Sequence, residues 1–132
     1  MKKNFNIKDA VLFEFSGDMI DLRGDCELIS VDIRPGHSST VEIKWKVDDS
    51  NQQIHVIFNY VKDFIVRGRD TDYPLESGTM LSIAGFSDGI SRENEDQVYS
   101  QEPTREMNYM SFVMDDWSAI LVRADSVIMR RA

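Results

Sequence analysis

The chain has 132 residues, 42% of them hydrophobic and 29% charged, and 15 Lys and Arg against 23 Asp and Glu give a formal net charge of −8. That size and apolar content suit one folded domain over residues 1–132 and exclude wholesale disorder. The acid excess argues against direct nucleic-acid binding, which rests on clustered Lys and Arg. No apolar run approaches the roughly 20 residues that cross a bilayer, and Lys8, Asp9 and Glu14 interrupt the N-terminal stretch before an apolar signal region can form. The single Cys26 excludes an internal disulfide and a multi-cysteine metal site. The expected setting is the cytoplasm.

In chain order, residues 4–8 read as a loose or edge entry and residues 11–15 as a short strand, the core side of a helix turn being the alternative. Ser16-Gly17-Asp18 is a turn, and residues 19–23 form either a strand or a short helix capped by Asp18. Ile29, Val31 and Ile33 alternate with polar neighbours up to Pro35-Gly36, the mark of a strand and its turn. Val41, Ile43, Trp45 and Val47 alternate with Glu42, Lys44, Lys46 and Asp48, which predicts a half-buried strand. After the turn formers Asp48-Asp49-Ser50-Asn51, Ile54, Val56, Phe58 and Tyr60 alternate again, and a third apolar run, Phe64-Ile65-Val66, stops before Gly68. Residues 41–67 therefore read as a three-stranded meander.

Residues 69–78 hold Pro74 and Gly78 and read as a surface connection, and residues 80–84 as a strand followed by a loop from Gly85 to Gly89. Residues 90–107 are the most polar part of the chain. Residues 109–114 and 117–123 make a hairpin about Asp115-Asp116, and residues 126–129 a last short strand. Connections this short favour antiparallel pairing. The expectation is a mainly β fold, with α+β as an alternative: an antiparallel sheet of about eight strands, shaped as a sandwich or partly open barrel, with one or two short helices.

Catalysis needs a nucleophile, acid or base beside an orienting group. His37 falls in a turn and His55 on the charged face of its strand, and no nucleophile elbow supports a Cys26, His55 and Asp63 set. Asp70-Thr71-Asp72 opens like a calcium loop, but Leu75 replaces the required Gly and Leu81 the bidentate Glu. Gly85 and Gly89 lack the Lys and Ser/Thr of a phosphate loop. No catalytic residue, metal site or cofactor is expected.

The acid excess is localised. Residues 69–116 carry three basic side chains against eleven acidic ones, whereas the rest of the chain is balanced. Aromatic residues lie among these acids, and such anchors in a charged field are what an interface with a basic protein uses. The candidate partner-binding residues are Asp70, Asp72, Glu76, Phe86, Asp88, Glu93, Glu95, Asp96, Tyr99, Asp115, Asp116 and Trp117. The alternatives are a solvated surface that keeps the chain soluble, a structural or assembly subunit, and a small ligand-binding or enzymatic β-barrel lined by Tyr60, Met80 and Met114.

Residues 25–33, 41–47, 54–64 and 117–129 together resemble the strand pattern of small acidic β-rich immunity proteins from bacterial contact-dependent growth inhibition and polymorphic toxin systems. The resemblance implies a cytoplasmic, non-enzymatic protein that neutralises a cognate toxin domain, often a basic nuclease, by covering its active site or another essential surface. It transfers no binding residue by position.

Overall fold

A computed structural model describes residues 1–68, 75–89, 100–104 and 108–132. These residues contain ten strands and no helix: β1 (Lys2–Lys3), β2 (Phe5–Asp9), β3 (Leu12–Phe15), β4 (Asp18–Asp21), β5 (Cys26–Arg34), β6 (Thr40–Val47), β7 (Gln53–Arg67), β8 (Leu81–Ser87), β9 (Tyr109–Met114) and β10 (Ala119–Arg131). The larger sheet runs β5-β6-β7-β10-β9-β8, with β1 parallel to β10, and the smaller one β2-β3-β4. The larger sheet curls into a half-barrel. Leu28 donates to Thr79 O at 3.0 Å and Gly78 to Leu28 O at 2.7 Å, so the segment entering β8 ties the far edge of the sheet back to β5.

The expected short helices are thus absent from the described residues, and the local reason is clear for residues 19–23. Ser16 and Gly17 both have positive φ, 54° and 83°. A two-residue loop of that kind matches the twist of antiparallel strands and sets Phe15 opposite Asp18, so the chain leaves the turn as β4.

The meander is corrected as well. Residues 64–66 are the far half of β7, a single 15-residue strand whose first half lies between β6 and β10 and whose second half pairs with β10. Residues 126–129 likewise belong to β10. The breaks in apolar alternation that suggest separate strands mark one irregularity, where Arg123 pairs with Asp63 but Ala124 with Val61. This is a β-bulge, which re-aims side chains and bends the strand. Tyr60, beside it, has φ 53°, a conformation that costs an L residue about 1–2 kcal/mol.

Inward positions make the core. Val41, Ile43 and Trp45 from β6, Ile54, Val56 and Phe58 from β7, and Met110, Phe112 and Met114 from β9 share one buried cluster with Phe5, Ile7, Phe13 and Ile20 of the small sheet. Phe112 packs against Trp45 and Phe58 at ring separations of 6.1 and 6.5 Å. Tyr109, Val113, Ala119 and Leu121 form a second buried cluster. They alternate with the inward residues of β9 and β10, so β9 and the first four residues of β10 are buried on both faces.

Candidate functional site

The exposed end of the β9–β10 hairpin carries three of the sequence-predicted residues. Trp117 donates its backbone N–H to Met114 O at 3.0 Å, and Met114 donates to Ser118 O at 2.8 Å. Asp116 Oδ1 accepts from the Ser118 backbone N–H at 3.0 Å and from the Ser118 hydroxyl, a side-chain closure typical of Asp in turns. Asp115 donates its N–H to Met80 O at 2.8 Å and so anchors the tip to the segment entering β8. Trp117 stands at φ 67° with 47% of its surface exposed. Asp115 is exposed beside it, and Met80 is also exposed. The turn thus presents an aromatic ring and a carboxylate on a hydrogen-bonded frame, so little backbone ordering is left for a partner to impose.

Of the other predicted residues, Glu76 and Asp88 are exposed. Phe86 is not available to a partner: it is 1% exposed and belongs to the core. β8 runs through Gly85 to Ser87, so Phe86 is an inward strand position opposite Met110, bridged on its other side to Ser100. Asp70, Asp72, Glu93, Glu95, Asp96 and Tyr99 lie outside the described residues.

The barrel-lining set does not converge. Met114 is in the core and Met80 is beside the tip, while Tyr60 is 54% exposed. Trp45, Phe58 and Phe112 fill the interior where such a cavity would lie. Nor do Cys26, His55 and Asp63 share a site. Cys26 is in the core, Asp63 accepts the Tyr109 hydroxyl hydrogen bond, and His55 pairs across the sheet with Lys44 and Arg130. Burial, with nearby Asp25, Asp48 and Asp21, pushes the Cys26 thiol up to about 12, far from a reactive thiolate.

His55, on the charged face of its strand, is a local hydrogen-bonder enclosed by its neighbours. It is 7% exposed, with Nε2 at 2.7 Å from Gln53 Oε1 and Nδ1 at 2.8 Å from Glu42 Oε1. Arg130 lies 3.7 Å from the same Glu42 oxygen. Alternation along β7 predicts the face but not the enclosure, which comes from long side chains on β6 and β10 brought alongside by register.

The described residues also form two surface grooves. One, of about 400 Å³, is lined by Leu28, Val31, Ile33, Phe64, Val66 and Leu75. The other, of about 800 Å³, lies at the bulge and includes Lys2, Tyr60, Lys62, Arg123, Asp125 and Ser126. Sequence reasoning misses the second because its residues come from three strands that only the sheet order brings together. Among the described residues no three His, Cys, Asp or Glu side chains gather as metal ligands, and no helix is long and apolar enough to cross a membrane.

No protein-family model matches the chain. No curated protein and no solved structure matches it either.

Proposed function

We propose that this chain is a non-catalytic immunity protein that binds and neutralises a basic toxin domain, acting in the cytoplasm. The observation that carries the reading is the Asp115-Asp116-Trp117 tip, an exposed aromatic and acids on a hydrogen-bonded turn. Trp is among the residues that most often dominate binding energy, and acids around it steer a cationic partner toward it. The nine other acids of residues 69–116 extend that charge along the sequence. An acidic cover is also complementary to a nuclease, whose own surface is built to receive phosphates.

The test is co-purification with a basic toxin domain encoded next to this chain's gene, followed by titration at rising salt. A salt-sensitive complex that abolishes toxin activity is expected. A variant reversing the charges of Glu93, Glu95 and Asp96 should bind more weakly, mainly through a slower association rate. The absence of any such neighbouring toxin, or a complex indifferent to salt and to charge reversal, counts against the reading.

A further inference from the structure

We propose that the groove beside Tyr60 binds a small phosphorylated ligand carrying a planar ring, of the size and chemistry of a nucleoside monophosphate. The groove exists because two pairings stop short of one another. The β9–β10 register ends at Met110 opposite Val122, while β1 joins β10 only at Ser126. Residues 123–125 of β10 therefore border a gap on that side, and on the other side the bulge sets β7 out of simple register. The resulting space of about 800 Å³ falls in the range of small-ligand sites.

Its lining reverses the character of the molecule. Lys2, Lys62 and Arg123 face it against a single acid, Asp125, in a chain of net charge −8. Lys62 and Asp125 are 3.7 Å apart, and both are more than half exposed, so their pairing is weak and Lys62 can turn to a stronger anion. The Arg123 guanidinium lies over the Tyr109 ring at 5.5 Å, and a guanidinium so placed can still present donors to phosphate oxygens.

Tyr60 supplies the second half of the recognition. A bulky side chain at positive φ is an outlier that persists only where the surroundings over-determine it. Here the ring is not burying itself in a core, since 54% of the residue is exposed and it forms part of the groove wall. An exposed aromatic face next to cations is a stacking platform for a base beside its phosphate. A nucleic-acid polymer fits less well, because it would meet the acidic remainder of the surface.

The test is isothermal titration of the full chain with adenosine monophosphate, adenosine, inorganic phosphate and a short single-stranded oligonucleotide. Saturable binding of the monophosphate is expected, with adenosine and phosphate each at least about tenfold weaker. Tyr60→Gly should weaken the monophosphate but not phosphate, because Gly suits the backbone there and removes only the ring. Lys62→Gln and Arg123→Gln should weaken both, and thermal melts of each variant establish that it is folded. No saturable binding of the monophosphate, folded variants that bind it unchanged, or tighter binding of the oligonucleotide would overturn the proposal.

Discussion

His55 Nδ1 stands 2.8 Å from Glu42 Oε1 on adjacent strands, with Arg130 of a third strand approaching the same carboxylate. Burial lowers the affinity of His55 for a proton; Glu42 opposes that effect, while Lys44 and Arg130 add to it. The folded value is below the ordinary 6.5, so the unfolded chain takes up the proton more readily. The stability this group contributes is present above about pH 6.5 and is lost as pH falls through the folded value. The unfolding free energy from denaturant titration should therefore decline on acidification from pH 7 to 5, by at most about 1.4 kcal/mol per pH unit for one proton. A His55→Gln variant should show a shallower decline, and an identical pH profile would contradict the assignment.

Cys26 makes the opposite kind of prediction, one of silence. Its side chain is buried and its thiol is pushed up to about 12. A thiol-specific disulfide reagent at pH 8 should leave the folded chain unmodified for as long as it stays folded, then react stoichiometrically once guanidinium unfolds it. Rapid modification without denaturant would show that β5 opens locally at its start.

The Tyr109 hydroxyl donates to the Asp63 carboxylate, beside Arg123. Burial first, and then Asp63, hold the phenol above its ordinary 10. In a spectrophotometric titration of the folded chain, Tyr109 should ionise above pH 10. The stability it contributes is intact below pH 10 and is lost as pH rises through the folded value. Tyr109→Phe should cost about 1.5–3 kcal/mol in denaturant unfolding, the usual worth of a hydrogen bond to a charged group.

The strands that could be read in advance are those where one face meets the core and the other meets water. Val41, Ile43 and Trp45 of β6 and Ile54, Val56 and Phe58 of β7 are buried as their alternation predicts, and the Asp115-Asp116 hairpin turn falls where the turn residues lie. What escaped were features set by tertiary register. The bulge between Val61 and Asp63 disguises β7 and β10 as shorter strands, because local alternation fails there while pairing continues. Burial of β9 on both faces depends on its central place between β8 and β10. Gly85 suggests a loop that exposes Phe86, whereas in β8 Phe86 is a buried strand position. The parallel pairing of Lys2 with Ser126 joins residues from opposite ends of the chain, beyond the reach of any local pattern.

Trp117 separates binding from folding. Its φ of 67° suits Gly better than Trp, so Trp117→Gly relieves backbone strain while removing an exposed ring. The variant should remain folded in thermal or denaturant melts, because Gly takes that backbone conformation without strain. A large loss of stability would mean that the indole holds the fold together.

The proposed function is tested most directly by titrating a basic toxin domain encoded beside this chain's gene with the parent protein and with the Trp117→Gly and Asp115→Lys variants. Asp115 is exposed, and its backbone bond to Met80 does not depend on the side chain. The account predicts a complex with the parent that weakens as salt rises, and a loss of more than about tenfold in affinity for each variant, as expected where an anchor or its neighbouring charge is removed. Unchanged affinity for both folded variants would contradict it.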